Sequence, residues 1–566
     1  MPLLEVRNLS ILFGNKRSSL VVDNISFTLE HGETLGVVGE SGSGKTLTGL
    51  SIMGLAPIGA KVTGEILLNF GSEKINLNSL PGKKRNKYRG KIISMIFQDP
   101  MTSLNPSVRC GKQVDEILKI HTGLSASLRK EKVIQLFEEV MLPEPKLIYK
   151  KYPYQLSGGQ LQRVMIAMAV ACNPKILIAD EPTTALDATV QKSIIDLLIR
   201  LKNKYNISVI FISHNLDIVS KISSKIMVMF KGRQMEYGTT KHILSEPDVQ
   251  YTKGLIACKP SSNIRFERLP IVEDFIKNEN SKSDIKIISS EERKNIHKKI
   301  YAQNPIFEIN NLNSYFILNY NIFGKPVNRF QALKDINLQI WQGETIGVVG
   351  ESGSGKTTLG KTLMRLIEKF DGNITYHGKN VSTIQGNDLL KYRKTVQLVF
   401  QDPYSSLNPN HTIGYTIREP MIVHNLHKKE STRNEKVFEL MNMTGLDEQY
   451  FNRYPHQLSG GQRQRVGIAR ALALEPEVLI CDESVSSLDV SVQANILNLL
   501  NDLKKRLGLT YIFISHDLAV VKYMSDRIFV MKDGQILESG EADTLYADPK
   551  EEYTKTLIDA TNTNNI

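Results

Sequence analysis

Short, almost wholly apolar runs punctuate the chain, and the set of them occurs twice. In the first half they fall at residues 35–38, 92–97, 176–179, 209–212 and 226–230. Runs of this length without alternation suit strands buried on both faces, as in an α/β sheet. Residues 3–6 and 25–29, and again 306–309 and 336–340, predict strands ahead of that core, the start of a mixed or antiparallel layer. Residues 113–120 and 130–141 carry apolar positions at helical spacing and predict a helical insert. Each half is therefore expected to be α/β: a mainly parallel core, an antiparallel layer and a helical subdomain.

The duplication is visible residue by residue. Gln98 returns as Gln401, and Leu156-Ser157-Gly158-Gly159-Gln160 as Leu458-Ser459-Gly460-Gly461-Gln462. Asp180-Glu181 returns as Asp482-Glu483, Leu186-Asp187 as Leu488-Asp489, and Ser213-His214 as Ser515-His516. From the serine-glycine motif onward all pairs share one offset; the first half carries its extra residues around 71–87. So long a period excludes a solenoid and means a duplicated domain. The expected division is 1–258, a linker at 259–304, and 305–566. The linker holds ten basic and seven acidic residues, is rich in Ser and Asn, and shows little apolar periodicity. Partial order is expected in it around Leu269-Pro270-Ile271-Val272.

Chemistry enters at the end of the loop strand. Gly39-Glu40-Ser41-Gly42-Ser43-Gly44-Lys45-Thr46 fits G-x-x-x-x-G-K-[ST] between an apolar run and an expected helix. Its identical copy is Gly350-Glu351-Ser352-Gly353-Ser354-Gly355-Lys356-Thr357. Glycines let backbone N–H groups turn inward around a polyphosphate, and the helix N-terminus adds its positive end. Lys45 and Lys356 are placed for the outer phosphates, Thr46 and Thr357 for Mg²⁺. Asp180 and Asp482 end buried strands, which suits a hard cation held by carboxylate and phosphate. Glu181 and Glu483 follow, placed to orient the attacking water. A strand ending at a solvated acidic pair is the ordinary reading of such a sequence, and the phosphate loop outweighs it. A histidine at a strand end is more often structural, but His214 and His516 stand equally far beyond their aspartates, which favours a γ-phosphate contact. Gln98 and Gln401 also end strands and can bond Mg²⁺ or water.

Composition adds limits. At 566 residues the chain is long enough for two to four domains. Its 41% hydrophobic and 23% charged residues exclude a disordered class, and no stretch approaches the roughly 20 apolar residues that span a bilayer. The first residues, Met1-Pro2-Leu3-Leu4-Glu5, lack the pattern of a signal peptide. The formal charge of +12 fits a lysine-rich surface, nucleic acid or an anionic membrane face, and charge alone does not separate them. The basic excess is spread along the chain, against a nucleic-acid tail. Cys110, Cys172, Cys258 and Cys481 have no C-x-x-C spacing and are expected to be reduced thiols without a metal.

Both halves resemble ATP-binding cassette (ABC) nucleotide-binding domains with the P-loop NTPase fold, over nearly all of the chain except the linker. The Leu-Ser-Gly-Gly-Gln signature carries that resemblance, since other phosphate-loop ATPases lack it. By matched position it implies ATP and Mg²⁺ as cofactors, adenine stacking by Phe13 and Phe316, and Q-loop roles for Gln98 and Gln401. It also implies signature contacts to ATP from Ser157, Gly159, Ser459 and Gly461, D-loop roles for Asp187 and Asp489, and switch histidines at His214 and His516. In such domains ATP lies between the phosphate loop of one cassette and the signature of the other. One chain with two cassettes then closes both sites on itself, Lys45 with Ser459 and Lys356 with Ser157, and requires no homodimer. No lysine, glutamate, histidine or signature residue is missing from either half, so two hydrolytic sites are expected. The departure is Ser484, where the first half has Pro182.

Residues 161–174 and 463–472, and the Gln-Asp-Pro-x-x-Ser-Leu-Asn-Pro continuation at 98–106 and 401–409, are similar to the ATPase pair of oligopeptide, dipeptide and nickel importers. That similarity implies a peripheral ATPase on the cytoplasmic face of a bacterial plasma membrane, docked on two permease subunits fed by an extracytoplasmic binding protein. The segments after Gln98 and Gln401 are the implied docking surface. Members like the first half often hold an iron–sulfur cluster in a cysteine-rich extension; only Cys258 lies there, so no cluster is expected. The alternatives are a soluble twin-cassette ATPase on the ribosome or nucleic acid, and an exporter ATPase.

Overall fold

The computed structural model describes residues 1–14, 19–70, 73–184, 186–260, 264–277, 286–320, 326–402, 404–486 and 488–561. Parts of the linker (261–263, 278–285), Gly71 in the extra stretch of the first half, Ala185, Pro403 and Ser487 lie outside them. The chain divides into two compact units. One comprises Met1–Leu186, Val190–Ala257 and Val272–Glu279; the other comprises Asp187–Thr189, Cys258–Ile271 and Asn280–Ile566.

In the first unit the parallel core runs, in spatial order, Ile93–Ile96, Ile176–Asp180, Ser208–Ser213, Thr34–Gly39 and Lys225–Phe230, with Arg233–Thr239 antiparallel at its end. These are the apolar runs, and burial explains their composition: Ile176, Ile178, Ile210 and Ile212 are at most 2% exposed. Each such side chain contributes roughly 1.5–3 kcal/mol of burial. The antiparallel layer is Ser19–Leu29, Leu4–Phe13 and Ala60–Phe70, extended by Glu73–Asn76 from the extra stretch of this half. A single pairing, Arg233 with Asp23, joins layer and core into one ten-stranded sheet. The insert supplies helices Cys110–His121 and Ala126–Glu139, and the signature motif opens the helix Gly158–Val170.

The second unit repeats this plan as two sheets. Val396–Val399, Val478–Asp482, Thr510–Ile514, Thr345–Val349, Arg527–Lys532 and Gln535–Glu541 form the core sheet in that order. Pro326–Trp341, Pro305–Tyr320, Phe370–Tyr376 and Lys379–Asn380 form the antiparallel one. In each unit the loop strand is central, and the loops after the parallel strands open at one carboxyl edge, where α/β sheets hold ligands.

The linker contains more order than its polarity predicts. Val272–Lys277 is a helix packed on Gln250–Ala257, close enough that a Cβ on Gly254 would lie 3.1 Å from the Val272 backbone. Ser290–Tyr301 is a second helix, N-capped by Ser289 with Glu292 closing the capping box.

Candidate functional site

The phosphate loop is shaped by backbone constraints that only glycine meets. Gly39 has φ 150°, and a Cβ there would sit 2.1 Å from the Met229 carbonyl oxygen; Gly350 (φ 154°) repeats this at 2.2 Å from that of Met531. Gly42 and Gly353 have φ of 79° and 84° with open space on the side a Cβ would take. The antiparallel layer borders the loop: a Cβ on Gly44 would lie 2.7 Å from Val22, and one on Gly355 2.8 Å from the Ala332 carbonyl. Helices Lys45–Ile52 and Lys356–Leu363 start directly behind, so that each loop leads into a helix N-terminus with its positive dipole end.

Within each unit the predicted polar side chains converge. Lys45 Nζ donates to the carbonyls of Gly39 and Glu40 at 2.7 and 2.8 Å, and Lys356 to those of Gly350 and Glu351, both at 2.8 Å. Thr46 Oγ1 donates to Asp180 at 3.1 Å; Thr357 does so to Asp482 at 2.9 Å. Gln98 Nε2 donates to Glu181 Oε2 at 3.0 Å, and Gln401 to Glu483 at 2.7 Å. His214 Nδ1 lies 3.4 Å from Glu181 and His516 Nδ1 3.6 Å from Glu483. The carboxyl ends of the strands bring loop, acidic pair, glutamine and histidine together twice.

The electrostatics divide each acidic pair. Burial pushes the Asp180 carboxyl up to about 6, with the Glu181 charge adding to the effect, and burial raises Asp482 likewise. At Glu181 burial works upward too, but hydrogen bonds from His214 and Thr184 and the nearby Lys45 charge outweigh it, and the carboxyl falls to about 2. Glu483 also falls: burial is outweighed by His516, Lys356 and Gln401. Conversely His516 is raised, its burial overcome by the bond and charge of Glu483. Burial lowers Lys356. Each site therefore holds an ionised glutamate against histidine, beside an aspartate whose negative charge is short of compensation.

Three features of these sites were not read from the sequence. Glu181 and Glu483 both take φ 45°, a left-handed conformation that costs a non-glycine residue on the order of 1 kcal/mol or more. Their N–H groups bond the carbonyls of Ile212 and Ile514, both at 2.9 Å, which ties each glutamate to the strand before its histidine. Thr184 Oγ1 donates to Glu181 Oε2 at 2.8 Å, whereas Ser486 at the matching position donates to the Glu483 backbone carbonyl at 2.9 Å. The Tyr553 phenol oxygen accepts the Glu351 N–H at 3.0 Å, so a C-terminal helix braces the second loop. The repeated Tyr-Thr-Lys at 251–253 and 553–555 was the available signal for it.

The signature serines cap their helices. Ser157 accepts from the Gln160 N–H and returns its own N–H to the Gln160 side chain; Ser459 and Gln462 do the same. A Cβ on Gly159 would lie 2.9 Å from Val190, and one on Gly461 2.4 Å from Val492, so close helix packing requires glycine there. Phe13 ends its strand, partly buried against the core, while Phe316 is 43% exposed opposite Phe330 in its hairpin. Ser484 is buried at the position of Pro182.

The family model described as "ABC transporter" matches residues 22–184 and 333–486, together more than half of the chain. The chain belongs to the ABC transporter ATP-binding family. A second model, "Oligopeptide/dipeptide transporter, C-terminal region", matches 235–276. The glutathione import ATP-binding protein GsiA of Salmonella typhimurium is 41% identical over 567 aligned positions, covering 98% of this chain and 89% of its own length. GsiA of Pectobacterium atrosepticum is 38% identical over 562, with the same coverage. Among solved structures, a dimeric ATP-binding cassette in a post-hydrolysis state with ADP and Pi is 29% identical, TM-score 0.38, matching 42% of this chain and 98% of that one. The protein is thus a two-cassette ABC ATPase of the P-loop NTPase fold. Among the described residues no helix is long and apolar enough to cross a membrane.

The ABC cassettes fit ATP with Mg²⁺. At Gly39, Gly44, Gly350 and Gly355 the loop has no room for a Cβ, which suits a backbone cradle for a polyphosphate, and Thr, Asp and Gln offer the hard oxygen donors that Mg²⁺ takes. A divalent cation would also supply the positive charge that the raised Asp180 and Asp482 carboxyls lack.

Proposed function

We propose that this ABC ATPase drives an importer for peptides or similar small solutes, with glutathione-like thiols in the substrate class. The observation that carries this is the oligopeptide/dipeptide C-terminal region at 235–276, in a chain whose two cassettes match glutathione-importer ATPases end to end. Lys45 and Lys356 hold the outer phosphates. Thr46, Asp180 and Gln98, and Thr357, Asp482 and Gln401, hold Mg²⁺, which would neutralise charge developing on the transferred phosphoryl group. Glu181 and Glu483, ionised and held in a left-handed turn, orient the attacking water; His214 and His516 sense the γ-phosphate. Phe13 and Phe316 stack on adenine. The lysine of each cassette works with the signature serine and glycine of the other (Ser459 and Gly461, Ser157 and Gly159), so that ATP closes the pair and hydrolysis releases it.

The work is done on separate membrane subunits: two permeases approached from the cytoplasmic face, with an extracytoplasmic binding protein delivering substrate. Gln98 and Gln401 connect to them, since each bonds the catalytic glutamate and leads into the segment before the helical insert. Affinity purification from native membranes tests this reading. Two polytopic subunits should copurify, and reconstitution with a binding protein should give ATP-dependent uptake of a short peptide or glutathione. Ribosomal subunits in their place, or ATP-dependent efflux, would overturn it.

A further inference from the structure

Two stretches of the interdomain segment, 264–269 and 286–301, are tied to one place on the second cassette. Arg265 donates to the carbonyls of Tyr523 and Ser525 at 3.1 and 3.2 Å and to that of Lys522. Arg293 donates to the carbonyls of Ser525 and Asp526 at 2.8 and 3.2 Å, pairs with Glu541 at 3.0 Å, and pairs with Asp543. His297 contacts Asp526 at 3.1 Å. The two stretches also hold each other: Glu267 N–H bonds the Lys286 carbonyl at 2.8 Å and Ile288 N–H that of Arg265 at 2.9 Å.

Arg265 takes last-turn carbonyls of the helix Leu518–Met524, those of Lys522 and Tyr523, and both guanidiniums take that of Ser525, its C-cap; the helix begins two residues after His516. Asp517 caps its start, accepting from Ala519 and Val520 at 2.9 and 3.2 Å. Such a helix has unmatched carbonyls at its end, and buried cations there hold it against both fraying and sliding. The first cassette lacks the counterpart. At the matching positions Ser224, Thr239 and Lys241 stand where the second has Asp526, Glu541 and Asp543. The acidic cluster thus goes with the strap and not with the cassette fold.

We infer that Arg265 and Arg293 are positioning residues for His516, so that the interdomain segment sets the hydrolytic competence of the second site alone. This rests on the reading of His516 as the γ-phosphate sensor. In the intact chain, Arg265→Ala and Arg293→Ala should each lower kcat on the order of tenfold, with KM for ATP unchanged. Amide exchange should quicken across 515–526 and stay unchanged across 213–224. Arg265→Lys and Arg293→Lys should recover part of kcat, because charge at the helix end survives while the fork is lost. A normal kcat in both Ala variants, or exchange quickened equally in both halves, would overturn the inference. Should His516→Ala turn over normally, the sensor reading fails instead, a failure that leaves the exchange result at 515–526 untouched.

Discussion

Glu181 accepts from Gln98 and Thr184 while His214 stands beside it; Glu483 has the glutamine and histidine but not the threonine. The hydroxyl of Thr184 is one of the groups that hold Glu181 near 2. Removing it by Thr184→Ala should make Glu181 easier to protonate and move the acid limb of the kcat–pH profile upward by less than about 1 unit. Ser486→Ala should leave the profile in place, since that hydroxyl serves only a backbone carbonyl. A larger substitution tests the roles outright. Glu181→Gln and Glu483→Gln should each cut ATP turnover on the order of 10²-fold or more, and near-normal turnover in either would show that the two sites are not equivalent. The glutamates themselves were legible because each follows a buried apolar strand in both halves. Their left-handed φ was not, because side-chain pattern carries no dihedral for a residue that is not glycine.

At the scale of elements, the strands and the amphipathic helices of the insert were legible and the docked linker helix was not. The face that Ser290–Tyr301 buries is Arg293, His297 and Tyr301, a polar stripe at helical spacing that satisfies carbonyls and carboxylates instead of filling a core. Apolar periodicity is blind to it. The matching signal was the acidic set Asp526, Glu541 and Asp543, present in one repeat only. Asp526 also sets an acid dependence. Burial works to raise its carboxyl, but Lys504, His297 and the Thr345 N–H outweigh it and hold it well below the usual range. A depressed folded-state pKa contributes stability that is complete above the unfolded value of about 3.9 and is lost as pH falls below it. Asp526→Asn should therefore destabilise the second cassette at neutral pH by on the order of 2 kcal/mol, and flatten its loss of stability below about pH 4 in calorimetry.

For the whole molecule, the decisive property is that both cassettes share one chain. Two modules on one chain meet at an effective concentration near millimolar when the connection spans their separation. Separate chains at micromolar concentration compete with that poorly. ATP turnover per chain should accordingly be independent of protein concentration. The sharper version is a mixing experiment. Lys45→Ala and Lys356→Ala each remove one buried lysine from a phosphate loop and leave the other half intact. If hydrolysis needs a lysine from one cassette and a signature from the other in the same chain, an equimolar mixture of the two variants should show only the average of their separate activities. Exchange of halves between chains would instead assemble one intact pair from the two unmutated cassettes and raise the activity above that average. An excess in the mixture that grows with protein concentration would mean that chains pair with one another, and the one-chain motor would have to be replaced by a dimer of chains.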